Sequence, residues 1–181
     1  MDIAPYLDTL LLLLVTAAAI KDLESRRIPN LLLLAGVLGG LLLHLLSPQP
    51  GTALLGALGG CATGLAVLLP FYLLRGMAAG DVKMMAAVGI FTGPGDALRI
   101  AVIAWCAGGL MALAVLVVKG RLRLALANLW GMLLPMLLRL QRLPSADQGG
   151  RPSAGSIPYG LAIAAGTIVH LVGRYGPPHL A

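Results

Sequence analysis

Residues 10–22 read Leu10-Leu11-Leu12-Leu13-Leu14-Val15-Thr16-Ala17-Ala18-Ala19-Ile20-Lys21-Asp22, the body of an apolar run that extends over 6–21 and ends on a carboxylate. A run of this length approaches the roughly 20 residues that an α-helix needs to cross a bilayer. Further apolar runs follow at 31–46, 52–74, 82–93, 97–118 and 157–173, so six spanning helices are expected. The composition agrees. Of 181 residues, 59% are hydrophobic and 11% charged, and the mean hydropathy is +0.92. Soluble domains carry about 25% charged residues. The expected fold class is all-α, a polytopic membrane helix bundle forming one domain over 1–181. Aromatics make up only 4%, so Leu, Ala, Val and Gly must fill the interior, with small residues letting helices approach closely.

The first run does not read as a cleaved signal peptide. Asp2 and Asp8 precede its body, whereas Lys21, Arg26 and Arg27 follow it, the reverse of a basic n-region. The segment is expected to remain as a spanning helix.

The segment 124–138 has Leu124, Leu126, Leu129, Trp130, Leu133, Leu134, Leu137 and Leu138 at helical spacing, flanked by Arg121, Arg123, Arg139 and Arg142. A crossing there would put these basic clusters on opposite faces, so an interfacial amphipathic helix is expected instead. It lies within a cytoplasmic loop over 119–156, whose Pro, Ser, Gly and Gln content at 141–156 marks a linker. With the N-terminus outside, Lys21, Arg26, Arg27, Arg75, Lys83, Lys119, Arg121, Arg123, Arg139, Arg142 and Arg151 fall on the cytoplasmic side, and only Arg99 and Arg174 fall opposite. The positive-inside rule favours that orientation.

The same distribution accounts for the net charge of +6 and pI of about 9.9. Basic residues scattered among short loops, without a stripe interleaved with aromatics, do not indicate a nucleic-acid partner. Arg26, Arg27 and Lys83 suit anionic membrane lipids. Cys61 and Cys106 stand alone in apolar runs and read as packing residues, so neither a metal nor another cofactor is expected. His44, His170 and His179 fall on the outer side, where His44 reads as an interfacial residue.

Two acids remain to be explained. Asp22 ends the first apolar run, and Asp81 opens the fourth within Gly76-Met77-Ala78-Ala79-Gly80-Asp81-Val82-Lys83. Ionisable groups beside hydrocarbon are costly, which makes function the default expectation. A helix from Gly80 to Gly93 rises only about 21 Å at 1.5 Å per residue, less than the roughly 30 Å hydrocarbon core. Asp81 is therefore expected below the cytoplasmic surface, in a cavity that water enters. The two carboxyls occupy opposite helix ends, so the helix dipoles treat them differently. If they approach closely, repulsion leaves them sharing one proton. One ionised carboxylate can then activate water while a protonated one polarises a carbonyl, which is aspartic-protease chemistry.

These residues resemble the type IV prepilin peptidases, and in particular the short form associated with Tad-type pili. Asp22-Leu23-Glu24-Ser25-Arg26-Arg27-Ile28-Pro29-Asn30 is similar to the family's first signature, an aspartate followed by a basic pair and Ile-Pro-Asn. Ala78-Ala79-Gly80-Asp81-Val82-Lys83 resembles the second, GxGD with an apolar residue and Lys after it. Ile157-Pro158-Tyr159-Gly160-Leu161-Ala162-Ile163-Ala164-Ala165-Gly166 is similar to the segment that opens the last helix. The resemblance implies a membrane aspartic endopeptidase with Asp22 and Asp81 as its catalytic pair. It also implies a prepilin substrate cut at the cytoplasmic face of a bacterial or archaeal inner membrane. Glu24 is the candidate contact for a basic leader, and Gly80 and Lys83 are candidate supports of the site.

Two departures from the family pattern matter. Ala78 replaces the first Gly of GxGD, so the backbone there must use ordinary angles or accept strain. The loop 22–30 is too short for the methyltransferase segment with paired CxxC motifs found in bifunctional members, so cleavage without methylation is expected. The alternatives are a proton-coupled small transporter using the carboxylates as a relay, or a non-catalytic pilus-assembly subunit.

Overall fold

The computed structural model describes residues 3–74, 76–120, 123 and 159–175. Among these the regular elements are helices: α1 (Ala4–Ser25), α2 (Asn30–Leu45), α3 (Pro50–Leu73), α4 (Ala79–Val118) and α5 (Tyr159–Tyr175). The interfacial helix expected at 124–138 and the linker at 141–156 lie outside the described residues. The chain divides into two units, Met1–Gly108 with Pro158–Ala181 and Gly109–Ile157, and the packing below is that of the first.

Local chemistry sets the helix ends. Pro falls in the opening turn of both α1 and α3, where its missing N–H costs nothing. Pro29 sits one position ahead of α2, at the cap, with φ −63° and ψ 126°. α1 closes on Arg26 at φ 54°, a left-handed cap that a residue with a Cβ adopts at some cost.

α4 is broken at Gly93, whose φ of 78° and ψ of 176° lie outside the helical region, and Pro94 follows. A four-residue turn at Gly93-Pro94-Gly95-Asp96 is expected from the sequence; instead the interruption is confined to Gly93, with helix on both sides. Only glycine enters that backbone region freely. The break reverses the chain. Gly60 and Gly64 of α3 abut Gly89 and Met85 of the first arm, in antiparallel order, while Gly59 approaches Pro94. Further along, the Phe71 ring meets Trp105 of the second arm at 5.4 Å between centroids. The second arm therefore runs with α3 and the first arm against it. A straight helix from Asp81 to Gly108 would hold them about 40 Å apart; here both lie beside Tyr159.

Small residues allow this closeness. A Cβ on Gly60 would collide with the Gly89 carbonyl oxygen, and one on Gly64 with that of Met85, so the Gly60-Cys61-Ala62-Thr63-Gly64 face packs backbone to backbone. On α2, Gly36 receives the Leu14 side chain of α1 and Gly40 receives the Phe91 ring. The interior holds Leu11, Val15, Ala18, Leu68, Met84, Met85, Val88, Ile100 and Ile163. Leu13, Leu38, Leu42, Leu55 and Leu58 point outward and are more than half exposed. An apolar exterior of this extent suits hydrocarbon rather than water. α3 and α4 are each long and apolar enough to cross a membrane.

His44 corrects one expectation. It is buried, 8% exposed, and its Nε2 lies 2.8 Å from the Ile90 carbonyl oxygen. The α-helical donor to Ile90 would be residue 94, and Pro94 has no N–H to give. His44 fills that place, so it is a structural partner of the α4 break rather than an interfacial residue.

Candidate active site

The helix ends bearing the two sequence motifs pack together. Ile28 lies against Gly80, whose missing Cβ would sit 3.6 Å from the Ile28 Cβ, and Lys83 Nζ donates to Asn30 Oδ1 at 3.1 Å. These contacts join the loop after α1 to the start of α4. Asp22 stands in the last turn of α1 and Asp81 in the first turn of α4, with the Asp81 N–H bonded to the Ala78 carbonyl at 3.2 Å. Among the described residues, Arg26 is the one non-glycine residue with positive φ, so Ala78 uses ordinary backbone angles.

Asp22 and Asp81 are 7% and 6% exposed, so both carboxyls are withdrawn from bulk water. Their charges act on one another, with Arg26 acting on Asp22 as well. The Gly160 N–H, in the first turn of α5, donates to Asp22 Oδ2 at 2.9 Å. The carboxylate at the unfavourable C-terminal end of α1 thus meets the favourable N-terminal end of α5. A Cβ on Gly160 would lie 2.9 Å from that same oxygen, so the close approach depends on glycine. Tyr159 adjoins, its ring against Gly108 and its hydroxyl within charge range of Asp81.

The remaining named residues are placed differently. Glu24 is exposed and pairs with Lys21 at 2.8 Å, on the outside of α1. Lys83 is exposed and engaged by Asn30, while Gly80 supports the loop contact with Ile28. Among the described residues no group of three or more His, Cys, Asp or Glu side chains is arranged to hold a metal. The other described acids occupy the far end: Asp8 receives the Tyr175 hydroxyl and lies 3.6 Å from Arg174, and Asp96 lies 3.3 Å from Arg99 and 3.5 Å from His170.

The profile of the Type IV leader peptidase family matches residues 9–113, more than half of the chain, and the match includes both aspartates. The chain belongs to that family. No curated protein and no solved structure matches it. Membership of the leader peptidase family makes this helical membrane protein a peptidase, and the matched region ends before α5. Gly160 and Tyr159 are the additions that geometry makes to the two aspartates. The segment 157–166 assigns neither a role by its sequence, because a backbone N–H has no side-chain signature and the surroundings of a tyrosine ring are set by packing.

Proposed function

We propose that the chain is a membrane aspartic endopeptidase that removes the leader of type IV prepilins, with Asp22 and Asp81 as its catalytic pair. The observation that carries this reading is a pair of buried carboxyls, from helices far apart in sequence, within charge range of one another, one of them held by the Gly160 N–H. Two carboxyls that come together at one site share one proton. The ionised one takes a proton from water as its oxygen attacks the scissile carbonyl carbon, and the protonated one gives its proton to the carbonyl oxygen. The resulting gem-diol collapses with cleavage of the C–N bond and protonation of the leaving nitrogen.

The reversal at Gly93 supports six crossings, with α4 supplying two. The described cations Lys21, Arg26, Arg27 and Lys83 cluster at the dyad end, against Arg99 and Arg174 at the other, which favours a dyad facing the cytoplasm and an N-terminus outside. That end also suits contact with anionic lipid. The short link between α1 and α2 leaves no room for a methyltransferase segment, so the reading is cleavage without methylation, as in the Tad-type short form.

The test is incubation of the purified protein in detergent with a prepilin-like peptide containing a basic leader, glycine and a hydrophobic helix. Cleavage at the leader junction by the wild type, and none by Asp22→Asn or Asp81→Asn, is expected. Cleavage by either variant at the wild-type rate rules the reading out.

A further inference from the structure

Tyr159 presents a buried polar atom that the fold does not use. Its hydroxyl oxygen is shielded from solvent and, among the described residues, has no hydrogen-bond partner. A buried tyrosine hydroxyl normally finds one, because losing water without replacement is costly. The ring is fixed against Gly108, where a Cβ would stand 2.6 Å from Tyr159 Cε2, so the absence of a side chain at 108 makes room for it. The backbone is fixed as well, since the next residue, Gly160, is tied to Asp22 at 2.9 Å. The hydroxyl is thus held at a defined place, within charge range of Asp81 and beside the residue that grips Asp22.

We infer that Tyr159 is a third catalytic residue, whose hydroxyl donates a hydrogen bond to the scissile carbonyl oxygen of the substrate as that carbon becomes tetrahedral. This rests on the peptidase reading above and adds a residue to it. Water's oxygen bonds to the carbonyl carbon, its proton goes to the ionised carboxylate, and the protonated carboxyl delivers its proton to the carbonyl oxygen. Tyr159 transfers no proton; its O–H···O bond shortens as negative charge grows on that oxygen and relaxes when the C–N bond breaks. A fixed donor aimed at developing charge needs no reorganisation during the reaction, which is why it favours the transition state over the ground state. A hydroxyl that the fold leaves without a partner is what such a donor requires.

Tyr159→Phe removes the hydroxyl and keeps the ring that fills the space at Gly108. Cleavage of a prepilin-like peptide by this variant is expected to show kcat lowered about 10²-fold with KM within about twofold of wild type. Its melting temperature should be unchanged. Affinity for a statine-type peptide, whose tetrahedral hydroxyl mimics the gem-diol, should fall by a similar factor, while affinity for the uncleaved peptide measured on an Asp81→Asn background should not. Wild-type kcat in the Phe variant, with Asp22→Asn inactive, would remove the tyrosine's role and leave the dyad standing. A fall in kcat accompanied by displaced limbs of the pH–rate profile would make Tyr159 a partner of Asp81 and overturn the carbonyl contact. Failure of the wild type to cleave would remove both proposals together.

Discussion

The Gly160 N–H donates to Asp22 Oδ2 at 2.9 Å, although 138 positions separate the two residues. The bond fixes one carboxyl of the buried pair from the opening turn of α5, and α1 and α5 run antiparallel, with Asp8 meeting Arg174 and Tyr175 at the other end. Gly160→Ala tests it directly. The added methyl would lie 2.9 Å from Oδ2 and 3.2 Å from Asp22 Cβ and Cγ, so the carboxyl is the group that must move. A displacement approaching 1 Å costs about 10²-fold in a positioned site. The expected result is a fall in kcat of that order with modest loss of stability, measured by peptide cleavage and thermal unfolding in detergent.

His44 should prove structural. His44→Leu leaves the Ile90 carbonyl without a donor, at a cost of about 1–3 kcal/mol for an unpaired buried group. His44→Gln, which keeps a donor of similar reach, should recover part of that loss. Cleavage by the folded Leu variant should stay near the wild-type rate, because His44 lies at the end of the bundle opposite Asp22 and Asp81. A catalytic defect without loss of stability would contradict this account.

The sequence makes some of these features legible and hides others for identifiable reasons. Long apolar runs become helices because no other structure satisfies the backbone of a short spanning segment in lipid. Asp22 and Asp81 stand out because charge beside hydrocarbon is rare. Gly93-Pro94 announces a break, but how many residues the reversal needs depends on one glycine reaching φ 78°, which composition cannot specify. His44 reads as interfacial from sequence, since its actual partner is a carbonyl freed by a proline on another helix. Gly160 acts through its backbone, and Tyr159 through a hydroxyl that the fold leaves unpaired. Both are properties of packing rather than of residue type.

The glycines of α3 offer a paired test of packing. Gly60→Ala would drive a methyl into the Gly89 backbone carbonyl, which cannot yield as a flexible side chain can, whereas a Cβ on Gly56 meets nothing within 4 Å. Gly60→Ala should destabilise by about 3 kcal/mol or prevent folding. Gly56→Ala should be neutral or stabilise by up to about 1 kcal/mol through helix propensity. Thermal unfolding of the two variants in the same detergent separates them, and equal stability would mean that α3 and the first arm of α4 do not meet at Gly60 and Gly89.

Orientation in the membrane can be checked at exposed positions on the connections. In a background without Cys61 and Cys106, Ser25→Cys at the dyad end should react with a membrane-impermeant thiol reagent only from the cytoplasmic side. Thr52→Cys, at the start of α3, should react only from outside. Both residues are exposed, so failure to label would not follow from burial. The reverse pattern would put the buried carboxyls on the outer face and remove the cytoplasmic reading of cleavage.

The decisive comparison is between a dyad and a relay. A proton relay needs acids along a path across the membrane, yet among the described residues Asp22, Glu24 and Asp81 gather at one end while Asp8 and Asp96 are paired at the other. Asp22→Asn and Asp81→Asn should each abolish prepilin cleavage, and the double variant should be no worse than either, as for residues that act as a unit. Each substitution nearly preserves volume and removes a buried charge, so insertion and folding should survive, with melting temperatures equal to or above that of the wild type. Stable, inactive single variants together with an inactive double variant are the pattern of two carboxyls sharing one task. Two independent partial losses that multiply in the double variant would mean that Asp22 and Asp81 serve separate steps, and the shared-proton mechanism would then fail even if the protein still cleaves.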